Sequence, residues 1–125
     1  NINMYLQLQH KNMHLYKELK NLVKAVYLVS NKFPDVERYA LSSQLRRSAT
    51  SVILNFSEGS SKSSQAERAR FYEIARSSLV ELDTIIEIAN DLGYFNPQEF
   101  ELEQPITLTF KRLSALIKTT KSQLR

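Results

Sequence analysis

The sequence has no cysteine, only 2 glycines and only 3 prolines. The missing thiols exclude disulfides, thiolate metal sites and cysteine nucleophiles, and they permit a reducing compartment. So few turn-formers imply few turns, hence long helices with short connections. No apolar run approaches the ~20 residues that a membrane span needs, and no signal-peptide pattern occurs. A cytoplasmic protein with no membrane partner is therefore expected. Histidine is confined to His10 and His14, which removes the Glu-x-x-His pairs of di-iron bundles. HExxH, phosphate-loop and nucleophile-elbow patterns are missing too. The expectation is a protein that is not an enzyme and needs no cofactor.

What remains is the composition of one ordinary globular domain. The 125 residues are 42% hydrophobic and 24% charged, enough for a single core over residues 1–125 without staples. Asn1-Ile2-Asn3 precede the first methionine, as in a chain with a trimmed start. Apolar residues recur at steps of three and four, the helical period. Helix one is expected over about 5–33, with Tyr16, Leu19, Leu22, Val23, Val26 and Tyr27 inward, ended by Phe33-Pro34. Helix two follows over about 35–59 on Leu41, Leu45, Ala49, Val52, Ile53 and Phe56, with Gly59 as its C′ residue. Helix three, about 64–92, opens on the capping box Ser64-Gln65-Ala66-Glu67 and stops at Gly93. Its core set is Phe71, Ile74, Ala75, Ser78, Leu82, Ile85, Ala89 and Leu92. Helix four, about 97–124, opens on Asn96-Pro97-Gln98-Glu99 and packs Leu102, Ile106, Phe110, Leu113, Leu116, Ile117 and Leu124. Pro105 inside that span predicts a kink or a restart. The fold class is thus all-α, an antiparallel up-down-up-down four-helix bundle.

Four groups of residues stand out for function. His10, His14 and Glu18 lie four apart, a spacing that suits a metal ion. No fourth ligand is evident, so solvated side chains are the better reading and no metal is expected. A polar stripe on helix two, Gln44, Arg47, Ser48, Ser51, Asn55 and Glu58, either meets a partner or bonds to its own bundle. Lys17, Lys20 and Lys24 line the outside of helix one, and Lys111, Lys118 and Arg125 repeat on helix four. The two stripes could merge into one phosphate-binding patch, against the alternative of a merely solubilising surface. The turn Gly59-Ser60-Ser61-Lys62-Ser63-Ser64 offers donors for an anion, although its cap already uses some.

Charge is segregated rather than large. The net value is +4. Residues 1–62 carry nine Lys/Arg against four Asp/Glu, residues 77–103 carry seven acids and no base, and residues 104–125 carry five bases and no acid. Such a bundle presents a basic face while its total stays mild. Dipole matching explains this distribution on helix four but not the lysines in the middle of helix one.

Several blocks in one order carry a resemblance: Leu45-Arg46-Arg47-Ser48-Ala49, Asn55-Phe56-Ser57-Glu58-Gly59, Glu67 through Phe71, Ile74 through Leu82, and Leu92-Gly93-Tyr94. Over about residues 10–120 the chain resembles the bacterial four helix bundle protein family, also called the large-subunit rRNA intervening-sequence protein family. It is also similar to the accessory variability determinant proteins of diversity-generating retroelements. The resemblance implies a compact bundle without enzymatic activity that assembles into a homo-oligomer, commonly a pentamer. For the retroelement relatives it implies a basic surface for nucleic acid, RNA or DNA, and a reverse transcriptase partner. It carries over to Gln44, Arg46, Arg47, Asn55, Glu58 and Gly59. The chain departs from the basic pattern of many relatives in its acidic stretch 77–103. The expected function is a homo-oligomeric module contacting nucleic acid through Lys17, Lys20, Lys24, Arg46, Arg47, Lys111, Lys118 and Arg125. Gln44, Arg47, Ser51, Asn55, Glu58 and Gly59 are then the interface or structural motif. The alternative is a protein-interaction adaptor, for example for a reverse transcriptase, without direct nucleic-acid contact.

Overall fold

The computed structural model describes residues 4–124. Four α-helices carry the chain: α1 (His14–Ser30), α2 (Leu41–Ser60), α3 (Gln65–Asp91) and α4 (Glu103–Ser122). Short 3-10 turns at Gln9–Asn12 and Asp35–Glu37 precede α1 and α2. The described residues contain no strand. α1 packs on α2, α2 on α3, α3 on α4, and α4 again on α1, which is the neighbour relation of a bundle.

Each helix buries a stripe spaced three and four apart. The shared core joins Leu19, Leu22 and Val26 of α1 to Leu45, Val52 and Phe56 of α2, Leu79 and Leu82 of α3, and Leu113 of α4. Burying one such side chain is worth about 1.5–3 kcal/mol relative to exposure, so this stripe, more than intrinsic propensity, holds the helices. The α1 stripe is rotated from the expected one. Leu15 and Val29 are buried, Tyr16 and Val23 only half-buried, and Tyr27 exposed. Tyrosine keeps its hydroxyl wet at small cost, so an all-aliphatic seam wins the centre. On α3 the outcome is the reverse: Tyr72 and Leu79 are inside while Ile74 and Leu92 are exposed, the Tyr72 hydroxyl being satisfied by Ser60, and on α4 Thr109 is buried while Phe110 is exposed.

Three helix starts differ from expectation. α1 begins at His14 because the segment before it turns at Gln9–Asn12, where buried His10 meets Tyr16 and Phe56 edge-on. α2 does not begin at Pro34-Asp35. Val36 and Tyr39 are almost fully exposed, so nothing apolar ties that stretch to the core until Leu41. The Glu37 carboxylate then caps α2 by accepting the Leu41 N–H at 3.2 Å. α4 does not begin at Pro97. Gln98 donates its N–H to Asn96 Oδ1 at 2.9 Å, closing a local turn. The chain restarts where Glu101 Oε1 accepts from the N–H of Glu103 at 2.8 Å. Pro105 thereby falls in the first turn, where its missing N–H and its ring cost nothing.

The two glycines divide the work of the turns and the packing. Gly93 has φ +74° and ends α3 in the left-handed conformation expected of it. Gly59 is not a C′ residue but lies inside α2 and is buried. A Cβ there would sit 2.9 Å from Phe71 Cβ and 3.0 Å from the Tyr72 ring, so its hydrogen lets α2 and α3 approach closely. The cap of α3 is as expected on one side: Ser64 Oγ accepts the Glu67 N–H at 3.2 Å. The Glu67 carboxylate turns to Arg70 instead of reaching back, and that bond holds it below the usual carboxylate range.

Candidate nucleic-acid interface

The amphipathic pattern of α1 dictates where its cations go. With Leu15, Leu19, Leu22 and Val26 inward, steps of 100° put Lys17, Lys20 and Lys24 on the side away from the core. Lys17 and Lys24 are exposed, and neither ammonium has a hydrogen-bond or ion-pair partner among the described residues. Lys20 lies over the Tyr16 ring, 5.6 Å from its centroid, which orients the cation without neutralising it. The one acid of α1, Glu18, is drawn to the α4 side by an ion pair with Arg112. The outward face of α1 thus carries lysines beside Asn21 and Leu28 and no carboxylate.

The two arginines at the start of α2 have different fates. Arg46 is half-buried: its Nε donates to Ser30 Oγ at 2.7 Å and its Nη2 to Asn31 Oδ1 at 2.9 Å. Its guanidinium also lies 5.1 Å from the Tyr27 ring centroid. Arg46 therefore ties the end of α1 to α2, and its guanidinium is held in that position rather than free to follow a phosphate. Arg47, one residue on and 100° round, is exposed, with no side-chain partner among the described residues. That step carries it away from the α1 side, to the outer edge of α2 above Ser51, which bonds across to α3.

The stripes of α1 and α4 are not brought together. Lys111 shares a recess with Leu79, Val80 and Asp83 of α3. Lys118 is exposed one heptad later, on the side where Ser114 accepts from Arg76 at 3.1 Å and Lys121 bonds Glu73 at 2.6 Å. Both lysines therefore belong to the α3 flank of α4. The α1 flank carries Arg112, paired with Glu18, and shallow apolar recesses. The reason is geometric: Lys111 and Lys118 precede Arg112 and Thr119 by one residue each, a 100° step that is enough to change flank. Arg125 lies outside the described residues.

The polar stripe of α2 splits in the same manner. Ser51 and Ser78 hydroxyls bond across α2 and α3 at 2.8 Å, and Asn55 donates to the Ser51 carbonyl at 2.8 Å and to its hydroxyl at 3.0 Å. Ser48 is buried and donates to the Leu45 carbonyl. Gln44 and Arg47 stay exposed, and Glu58 lies 3.9 Å from Lys62. The turn after α2 is likewise used internally, with Ser60 bonded to Tyr72 Oη at 2.9 Å and the Lys62 carbonyl accepting from Arg68. This leaves it little to offer an anion.

His10, His14 and Glu18 do not form one face, because the helix starts only at His14. His10 is buried, with no partner on its Nε2. Burial, aided by the neighbouring Lys11 charge, holds its imidazole below the usual histidine range. Arg112 and Arg76 were invisible as organisers in the sequence, since their partners Glu18 and Ser114 are 94 and 38 residues away. Among the described residues, no helix is long and apolar enough to cross a membrane.

The family described as 23S rRNA-intervening sequence protein matches residues 11–117. The chain belongs to that family, whose description names no reaction. No curated protein matches the chain.

Proposed function

From this membership, we propose that the chain is a non-enzymatic, homo-oligomeric helical-bundle module of the cytoplasm that binds RNA or DNA. The contact surface is the outward face of α1, with the exposed Arg47 of α2 as a separate further cation. The observation that carries the reading is the row Lys17, Lys20 and Lys24 on α1, without a carboxylate partner among the described residues. Unpaired cations in a row release counterions from a phosphate backbone without reading sequence. Lys111 contributes less, because Asp83 lines the recess beside it, and Lys118 stands apart from the α1 row on the α3 flank of α4.

In this reading the helices run up-down-up-down. Support comes from side-chain pairs that join ends: Arg46 with Ser30, Ser60 with Tyr72, and Lys121 with Glu73. Gln44 and the exposed Leu54 are the part of α2 left over for a subunit contact, with a pentamer as the expected assembly.

Titration of an unstructured RNA oligomer across salt concentrations tests the nucleic-acid half. The logarithm of affinity should fall with the logarithm of salt, by about 0.7 per phosphate contact on a single strand. Lys17→Ala with Lys20→Ala and Lys24→Ala should reduce that slope by about 2. Binding that ignores salt, or a slope unchanged in the triple variant, overturns the assignment. Sedimentation showing only monomer at micromolar concentration overturns the assembly.

A further inference from the structure

On the opposite side from the lysines, two recesses run into each other along the seam of α3 and α4. One encloses about 470 Å³ and the other about 270 Å³. They share Asp83, Ile106 and Thr107, so they form one groove. Its floor is apolar, with Ile86, Phe95 and Phe100 at one end and Leu79, Val80 and Phe110 at the other. Val80 is 50% and Phe110 42% exposed, so the floor is open to solvent. Its larger end is ringed by Asp83, Glu87, Glu101 and Glu103. None of these four carboxylates pairs with a cation among the described residues, and Lys111 at the far end is the only cation in the lining.

We propose that this groove docks an amphipathic helix of a partner protein, with an aliphatic face on the floor and Lys or Arg side chains over the carboxylate ring. The occupant follows from charge and shape. Unpaired carboxylates repel phosphate, so neither nucleic acid nor an anionic lipid surface fits. An extended peptide would need a free backbone edge, and the two walls are helices whose backbone is already bonded. A helix laid in the groove needs none. The α3 wall runs from Leu79 to Asn90, ~16 Å at the helical rise, or about three turns of a guest helix. The carboxylates at one end and Lys111 at the other fix the direction of its charge. Recognition of this kind speeds association and weakens with salt. The inference goes beyond the nucleic-acid reading and does not depend on it.

The test uses the full chain and a fluorescent model peptide of about five helical turns, with leucine at i, i+3, i+4 and i+7 and lysine elsewhere. Anisotropy should report binding of this peptide and none of a scrambled peptide of the same composition. The Asp83→Lys, Glu87→Lys double variant and the Phe110→Ser variant should each bind about tenfold more weakly or worse, a loss of about 1.4 kcal/mol. Circular dichroism melts confirm that both remain folded. Lys17→Glu should bind the peptide like the parent, which separates this surface from the RNA face. Equal binding of the scrambled peptide would reduce the groove to a bare charge effect and overturn the proposal. Unchanged affinity in the folded charge-reversal and Phe110→Ser variants would overturn it as well.

Discussion

The outward face of α1 and the outer side of α3 are built alike and charged oppositely. Both flank the same apolar core. α1 carries Lys17, Lys20 and Lys24 and loses its one acid to a pair with Arg112. α3 carries Glu81, Asp83, Glu87 and Asp91, with no base beyond Arg76. Mixing the signs would have given each helix i,i+4 pairs worth about 0.3–0.5 kcal/mol apiece. The acids toward the end of α3 even oppose its dipole. Helix stability therefore does not account for the segregation. Only α4 follows the dipole, with Glu103 in its first turn and Lys121 in its last. The two faces differ because they meet different molecules: phosphate on one side and a cationic helix on the other, in the reading proposed above.

The comparison can be broken at the core that the two faces share. Leu82→Ala, on the inner side of α3, should cost about 2–5 kcal/mol. RNA and peptide binding should then disappear together in one melting transition followed by circular dichroism. Two separate transitions would mean that the faces belong to independent units. Next in size, Lys17→Glu with Lys20→Glu and Lys24→Glu should lower RNA affinity by about a hundredfold or more at low salt. Peptide affinity should stay unchanged in the same protein, as read by anisotropy for both probes.

Arg46 and Arg47 sharpen the basic side. Arg46→Ala should lower stability by about 1 kcal/mol, since a half-buried guanidinium loses two bonds and its aromatic contact. Arg47→Ala should leave the denaturation midpoint where it is and weaken RNA binding a few-fold, the equivalent of one phosphate contact. A reversal of the two outcomes would mean that Arg46 is the binding residue.

The smallest effect concerns the segment that leads into α1. Burial depresses the His10 pKa below its ordinary 6.5. Below that pH the unfolded chain takes up a proton that folded His10 resists, so stability is full at higher pH and falls as pH drops through 6.5. The melting temperature should decline over that window, and His10→Leu should flatten the decline. A decline of equal size in His10→Leu would assign it to other groups.

Much of this molecule was legible before folding. The helical period located four helices, and Ser64 and Gly93 marked two of their ends, because caps and left-handed turns are decided by neighbours within a few residues. Pro105 announced the restart of α4 for the same local reason. The stripe of α1 was harder, since tyrosine and valine look equally apolar to a periodicity count and only the packed neighbours distinguish them. Gly59 was misread as a cap because its actual role depends on Phe71 and Tyr72 of another helix.

The candidate sites divide along that line. Local order alone decided that Lys17, Lys20 and Lys24 share a face, that residues 77–103 are acidic, and that the chemistry of thiols is excluded. Which flank of α4 bears Lys111 and Lys118, which of two adjacent arginines is tied down, and whether carboxylates surround an apolar floor were decided only by tertiary structure. One helical step turns a side chain by 100°. Without knowing which neighbour lies on which flank, two stripes that look ready to merge cannot be told from two that face apart.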